Sequence, residues 1–575
     1  RFSVQVIIMQ KKWVFTENIP ESQVSDFAEE LQVPEVIVKI LINRGMTSRE
    51  EAVKFFRPKM ERLYDPLLMG DMAKAVDRIQ TALTNQETIL IYGDYDVDGI
   101  TSCSLLYLYI RKLTENVHYF IPDRIRDGYG FSSRGVKEAQ TVGATLIITV
   151  DCGITAVDEI GLANDKNIDV IVTDHHQMGK ELPPAYAILN PMVPDCQYPF
   201  KGLSGVGVAF KLVHALNNAI GWDNSQLLPY TDLVAIGSAA DIVPLVDENR
   251  ILVKEGIERI NGRHNIGLNA LLDVASLNNC FIGTGQILFG IAPRINAVGR
   301  LGSAERAVRL FTTSKREEAA KIANVLESEN RQRKNIEETA FNEAVEKAEK
   351  EFNKNSPDPL ILHGEGWHPG VIGIVASKIV DQFYRPAVLI ALEDGIGKGS
   401  IRSIPDFDVF EALQKCGNYL EEYGGHKYAA GLTIKESNIP VFKEAFKNAV
   451  RETLTALDLV PKLNIDGKIT LDIIDDRFFN ILKHFAPFGP QNSRPVFVAE
   501  GVEVMGRPTI VGKNHLKFSI RQNGAVMPVI GFNLGHLLDM IYDKRESLDI
   551  AFVIEENTWQ GNTYLQLQLK DIKRS

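Results

Sequence analysis

Between Thr88 and Leu189 five short apolar runs recur: TILIY (88–92), VHYFI (117–121), TLIITV (145–150), DVIVT (169–173) and YAIL (186–189). Each is followed by polar loop residues and then by helix-like sequence. Short buried runs alternating with helices mark βαβ units, so this stretch is expected to form a mainly parallel sheet. A parallel sheet also fixes where chemistry can sit, because ligands bind in the crevice beyond the carboxyl ends of its strands.

The rest of the chain is read around that sheet. With 575 residues it is too long for one hydrophobic core. Ile19 to Arg78 reads as helical, with PESQVSDFAEEL and TSREEAVKFF each offering a cap before an amphipathic run. Ser314 to Phe352 has almost no Gly or Pro and reads as one long connecting helix of about 50 Å. Its NRQRKN segment is the candidate break. Ser356-Pro-Asp-Pro marks a boundary, and a second α/β unit follows to about Thr453. After Pro461, alternating strands with Gly/Asn turns (GKITLDI, RPVFVAEGVEVMG, HLKFSIRQNG, TYLQLQL) suggest a small β-barrel. The expected divisions are 1–80, 81–255, 256–355, 356–458 and 459–575.

Composition narrows the class. At 45% hydrophobic and 24% charged residues the chain is of ordinary globular type, and no apolar run approaches the ~20 residues that cross a bilayer. No membrane association is expected. Met9, followed by QKKWVF, reads as a natural start, which sets the first eight residues apart. Five scattered cysteines without a CxxC read as reduced thiols in a cytoplasmic protein, not as a zinc site. The net charge of −11 lies in the body of the chain, and residues 460–575 are nearly neutral with a basic stretch inside. This disfavours a nucleic-acid coat protein but not a nucleic-acid enzyme, which needs only a local basic track and clustered acids.

The strongest chemical signal is a set of acids and histidines at expected strand ends. TILIY runs into Gly93-Asp94-Tyr95-Asp96-Val97-Asp98-Gly99, TLIITV into Asp151-Cys152-Gly153, and DVIVT into Asp174-His175-His176. Helix-like TDLVAIGSAADIVPL places Asp241 after an apolar stretch. Converging acids repel one another unless cations neutralise them. Oxygen ligands with one or two imidazoles suit Mg²⁺ or Mn²⁺, and two such ions together favour phosphodiester hydrolysis. Each piece has a plainer reading. Asp94 onward resembles a calcium loop, but the twelfth position is Leu105, not Glu. Asp174-His175-His176 alone could be a helix cap. Four such clusters in order make coincidence the poorer explanation.

GDYDVDGITS, VDCG, TDHH and SAADIVPL resemble, in order, the four motifs of the DHH phosphoesterase superfamily. The resemblance continues through APRINAVGRLGSAERAV, GWHPGVIGIVASKIV, GKGSIRS, GGHKYAAG and PFGPQNSRPVF, across nearly the whole chain. It is most similar to that superfamily's family of bacterial single-strand-specific 5′→3′ DNA exonucleases. The resemblance implies an α/β multidomain chain: a DHH domain with a mainly parallel sheet, a long connecting helix, a second α/β domain (DHHA1) and a C-terminal β-barrel of the OB-fold.

It implies a catalytic set of Asp94, Asp96, Asp98, Asp151, His175, His176 and Asp241. Asp96, Asp98, Asp151, His175 and Asp241 would be the ligands of two divalent ions, Mn²⁺ or Mg²⁺, with Asp151 bridging. Other branches have a histidine where this chain has Tyr92, and Asp94 is expected to compensate. His176 is expected to support the metal ligands from behind or to contact phosphate, rather than to bind metal. The resemblance assigns 5′-end contacts to Ser400 and Arg402, and phosphate contacts to Arg124, Arg294 and Arg300. Arg126 and Arg306 read as surface ion pairs. Gly425 and His426 fall in the DHHA1 hallmark, His426 facing the scissile region or serving as a structural histidine. The glycines of 364–373 and 397–403, at expected strand ends, suit close approach of a phosphate backbone or, equally, tight turns. In the tail Lys513 and Lys517, with Arg507, Arg521, His515 and Phe518, suit a single-strand track with base stacking.

The implied function is trimming single-stranded DNA from its 5′ end into 5′ mononucleotides, in DNA repair and recombination. The expected state is a monomer, with single-strand-binding protein and a helicase as partners. Two other readings stand beside it: a DHH-family phosphodiesterase for oligoribonucleotides or cyclic dinucleotides, and a non-catalytic replication scaffold. The helical N-terminus and β-rich tail argue against the first, and the intact acid set against the second.

Overall fold

The computed structural model describes residues 11–16, 19–124, 126–128, 130–542, 547–559 and 562–575. The start-site reading of the first eight residues lies outside them. The chain forms two compact units: residues 50–331 with 484–494, and residues up to 49 with 332–483 and 495–575. No described helix is long and apolar enough to cross a membrane.

The first unit is built on the expected sheet. Its five strands, all parallel, run in the order Val117–Phe120, Thr88–Gly93, Ala144–Val150, Asp169–Thr173, Ala187–Leu189. Alternation along Thr88–Gly93 sends Ile89 and Ile91 into one core and Leu90 and Tyr92 into another, so both faces are covered. That explains the unbroken apolar runs. The helices Val97–Ile110, Gly205–Ile220 and Thr231–Ala240 pack on the first of these faces and are themselves almost wholly buried.

A segment distant in sequence belongs to this unit. Buried Arg250 donates to the carbonyls of Phe55 (3.0 Å), His484 (2.8 Å) and Phe485 (2.7 Å), and lies 3.8 Å from the Phe55 ring centroid. Buried Asn492 adds bonds to the carbonyls of Phe485 and Pro487, both 2.8 Å. Residues 484–494 are thus fixed by side chains that satisfy their carbonyls rather than by regular structure.

In the second unit the sheet order is Glu422–His426, Ala429–Lys435, Ile396–Arg402, Ala387–Glu393, Leu360–Glu365, with only the last pair parallel. Ile396–Arg402 corrects one expectation: Gly397 and Gly399 lie inside a strand, not at its end. A Cβ on Gly397 would come within 2.5 Å of Ile390, and one on Gly399 within 2.7 Å of Leu432, so side-chain packing accounts for both glycines. At Gly364 the obstacle is the Trp367 ring, 2.5 Å away. The tail is a closed five-stranded barrel, Phe497–Val511, His515–Gln522, Ala525–Gly531, Asn562–Arg574 and Leu548–Trp559, the last pairing back to the first. Lys12–Phe15 pairs in parallel with Lys462–Ile465. The connecting helix, Arg316–Glu351, is continuous over 36 residues, and NRQRKN does not break it. Asn330, Arg333 and Glu337 are buried within it, which explains the polar interruption that looked like a break.

Arg250→Ala is expected to lower the unfolding free energy by about 3 kcal/mol or more, because one buried and two part-buried carbonyls lose their donor. Urea denaturation followed by circular dichroism checks this, and a loss below about 1 kcal/mol would show that the segment holds without it.

Candidate metal centre and nucleic-acid contacts

The acids gather at the carboxyl ends of the parallel strands. Thr88–Gly93 ends at Asp94, Asp169–Thr173 at Asp174, and Ala144–Val150 at Asp151, which takes a left-handed φ of +60°. Asp96 caps the helix Val97–Ile110, its carboxylate accepting from Gly99 N at 3.0 Å. Asp241 directly follows Thr231–Ala240. Three overlapping ligand sets result, each with donor atoms within 4.8 Å of one another: Asp94, Asp96, Asp151; Asp98, His175, Asp241; and Asp151, His175, His176. All seven residues of the expected catalytic set are brought together.

Tyr92 is not among them. Its buried ring packs on Phe120 and Phe131, and its hydroxyl donates to Gly130 O at 2.9 Å. Asp94, two residues on, lies in a ligand set.

The cluster carries more negative charge than its surroundings tolerate. Burial first, and then the neighbouring carboxylates, push Asp94, Asp98 and Asp151 well above the usual carboxylate range, and Asp241 to about 7. His175 is driven the other way, to about 4, by burial and by His176. Its Nε2 stands 3.2 Å from Asp151 Oδ1, 3.6 Å from Asp241 Oδ2 and 4.0 Å from Asp98 Oδ2. With the imidazole neutral these are not ion pairs. The ring bonds the Leu203 backbone, so the Nε2 lone pair faces oxygen lone pairs. Nε2, Asp94 Oδ1 and Asp151 Oδ1 are all buried without a hydrogen-bond partner. Divalent cations held in the sets that contain these atoms would satisfy all three, and the oxygen-rich donors suit Mg²⁺ or Mn²⁺.

Several supporting residues escaped the sequence reading. Gly205 N and Val206 N donate to Asp98 at 2.6 and 2.9 Å, placing the start of the helix Gly205–Ile220 and its dipole on that carboxylate. Ser204 caps this helix, accepting from Gly207 N at 3.2 Å. A Cβ on Gly205 would overlap Asp151 Oδ1, and one on Gly237 would lie 2.6 Å from Asp98 Oδ1. Asp174 accepts from Ile154 N (3.0 Å) and His175 N (2.7 Å), and its Oδ1 is 2.7 Å from His176 Nδ1. Burial alone would keep His176 neutral, but the bond and charge of Asp174, with Asp241 and Asp96, raise it to about 9. The capping signal Ser204-Gly205-Val206-Gly207 was present in the sequence; the approach of Gly237 to Asp98 had no local signal.

Of the expected phosphate contacts, Arg124 lies 5.3 Å from the Tyr95 ring centroid. Arg300 belongs to the helix Ala292–Leu301, which approaches the Tyr95 carbonyl so closely that a Cβ on Gly299 would lie 2.7 Å away. Both arginines act electrostatically on Tyr95. Arg294 departs from expectation: it is nearly buried, with Nε 2.7 Å from Glu327 and Nη1 donating to Gly290 O at 2.6 Å. Its guanidinium is committed to the fold. Arg306 pairs with Glu329 at 2.6 Å, as a surface ion pair should.

Ser400 and Arg402 share one face of their strand, Arg402 donating to Ser400 Oγ at 3.1 Å. A Cβ on Gly373 would come within 2.9 Å of Arg402 Nη2, so that glycine lets the helix Pro369–Phe383 lie against the pair. Strand register sets Arg402, Ala429 and His426 in one row, with exposed Gly425 beside it. On the barrel, Lys513 and Lys517 are exposed, while Arg521 pairs with Glu503 at 2.6 Å. Phe518 is buried in the barrel and is not a stacking group. Phe532 is exposed instead, with the His515 ring 5.3 Å from it, as are Tyr542 and Tyr564.

Gly205→Ala is expected to weaken Mn²⁺ affinity at least tenfold with the fold retained, because the added methyl displaces Asp151. Calorimetric titration with circular dichroism checks it; unchanged affinity would show that the helix start does not position the ligands.

Three family descriptions match in order: "DHH family, N-terminal domain" over residues 88–238, "DHHA1 domain" over 358–452, and "RecJ OB domain" over 465–571. The single-stranded-DNA-specific exonuclease RecJ of Bacillus subtilis is 38% identical over 559 residues, covering 96% of this chain and 69% of its own. That of Escherichia coli is 34% identical over 564 residues, covering 94% of this chain and 96% of its own. The crystal structure of Thermus thermophilus RecJ with Mn²⁺ superposes with a TM-score of 0.84 at 30% identity, over 98% of this chain and 80% of that one. Its Mg²⁺ complex gives 0.76 at 28% identity, over 98% and 78%. With the ordered DHH, DHHA1 and OB domains and this identity along nearly the whole length, the chain belongs to the RecJ family of single-stranded-DNA-specific exonucleases.

Proposed function

We propose that the protein is a single-strand-specific DNA exonuclease that enters at the 5′ end and releases 5′ mononucleotides, serving DNA repair and recombination. The observation that carries this is the pair of donor sets at the sheet edge, Asp94/Asp96/Asp151 and Asp98/His175/Asp241, which adjoin where Asp151 Oδ1 comes 3.2 Å from His175 Nε2. Two adjoining sets are what a pair of ions requires. Asp96, Asp98, Asp151, His175 and Asp241, with Asp94, would hold two divalent ions, Mn²⁺ or Mg²⁺. When bound, the ions supply Lewis acidity, activating water and offsetting charge on the phosphodiester.

The chain's own groups do the remainder. Asp174 holds His176 Nδ1 and keeps the ring charged, leaving Nε2–H to donate to a phosphate oxygen. Arg124 and Arg300 flank Tyr95 beside the acids and suit the substrate backbone. Ser400 and Arg402, with Gly425 and His426 on the adjoining strands, form a polar row suited to a terminal phosphate. Lys513, Lys517 and the His515–Phe532 pair suit a single strand, through phosphate neutralisation and base stacking. A B-form duplex would first have to be unpaired at about 1.4 kcal/mol per base-pair step. The protein would act as a monomer alongside single-strand-binding protein and a helicase.

Asp151→Ala is expected to abolish hydrolysis of end-labelled single strands with the fold intact, and EDTA to do the same to the parent. Robust hydrolysis by the variant in EDTA would contradict the metal mechanism. Arg402→Ala should reduce kcat/KM on 5′-phosphorylated single strands by roughly tenfold to a hundredfold while leaving Mn²⁺ affinity unchanged. Unchanged efficiency would remove Arg402 from recognition of the 5′ end. Polarity is read from a strand blocked at its 5′ end by a bulky group: release of mononucleotides from the free 3′ end at full rate would reverse the assigned direction.

A further inference from the structure

Ile242 follows Asp241 at the end of the helix Thr231–Ala240, and its φ is +61°. It is the only β-branched residue in the left-handed region among the described residues. That conformation after a helix end ordinarily falls to Gly or Asn, because a branched Cβ crowds the backbone there. Other helix ends in the same unit place Gly143 (φ +71°), Gly221 (φ +79°) or the unbranched side chains of Gln86, Arg263 and Ser276 in this region, none of them β-branched. Ile242 is also 58% exposed, whereas Val243 and Leu245 just beyond it are buried. Strain and exposed apolar surface thus coincide at one residue, one peptide bond from a carboxylate of the acid cluster. Local energetics would place Asn or Gly here.

Backbone strain carried by an exposed side chain is characteristic of positions that meet a ligand. A phosphodiester held at Asp241 would bring its attached sugar and base within reach of the neighbouring side chain. We propose that Ile242 is an apolar contact for the nucleoside adjoining the scissile phosphate, aligning it without reading base identity. This rests on the single-strand nuclease reading above.

Two variants test it. Ile242→Asn removes the apolar group and suits a left-handed φ, and Ile242→Val keeps most of the apolar surface. The Asn variant is expected to melt at or above the parent temperature, to bind Mn²⁺ with parental affinity, and to lose about tenfold in kcat/KM on single-stranded DNA. The Val variant should retain most of the efficiency. A strand carrying an abasic site at either of the two terminal nucleotides should cost the parent a similar factor and the Asn variant little more. Parental kcat/KM in the Asn variant, or an abasic penalty equal in both proteins, would overturn the inference. So would a loss accompanied by a lower melting temperature or weaker Mn²⁺ binding, which would make Ile242 a support for the helix end. Failure of the parent itself to degrade single strands would overturn the nuclease reading and the inference with it.

Discussion

Mutual repulsion among buried carboxylates is the constraint around which the first unit is arranged. Asp94, Asp98 and Asp151 are almost wholly buried, and burial and each other's charge oppose their ionisation. A folded chain tolerates such a cluster only if other groups hold the oxygens in place and offset part of the charge. Here the offset comes from the start of the helix Gly205–Ile220 at Asp98 and from charged His176, itself kept protonated by Asp174. The remaining deficit, concentrated on unpartnered Asp94 Oδ1, Asp151 Oδ1 and His175 Nε2, fits a divalent cation.

The same constraint explains local choices that otherwise look arbitrary. Glycine at 205 and 237 leaves room for Asp151 and Asp98, which any side chain would displace. Asp151, just past its strand, takes a left-handed φ, and its carboxylate lies among the ligand groups. The basic groups follow a complementary logic. Arg294, Arg306 and Arg521 are tied to Glu327, Glu329 and Glu503, while Ser400, Arg402 and His426 are aligned by strand register and Lys513 and Lys517 stand exposed. Of the arginines that chemistry alone could assign to phosphate, packing commits some to the fold.

Much of this was legible in the sequence because its signals are local. Apolar runs ending in Asp94, Asp151 and Asp174 give the strands and, through the rule of the carboxyl edge, the site; family motifs then give the ligand order. The less legible parts depend on contacts between residues far apart. Gly397 and Gly399 look like phosphate-approach glycines until Ile390 and Leu432 are seen beside them. Phe518 and Phe532 are both aromatic in a basic tail, but Phe518 lies within the strand His515–Gln522 and is buried, whereas Phe532 lies just past Ala525–Gly531 and is exposed. The partnership of Arg250 with residues 484–487 spans more than two hundred positions and leaves no periodic trace. NRQRKN reads as a helix break because its polarity is visible and its buried partners are not.

The central claim is that a divalent cation balances these raised carboxylates, and it has a direct thermodynamic signature. Ligands that hold protons near neutral pH must release them when a metal binds. Mn²⁺ titrations at pH 7 in two buffers of different ionisation enthalpy measure that release. With Asp94, Asp98 and Asp151 raised well above their usual range and Asp241 at about 7, Mn²⁺ binding should release protons. Mn²⁺ binding without proton release, or no binding at all, would contradict the account.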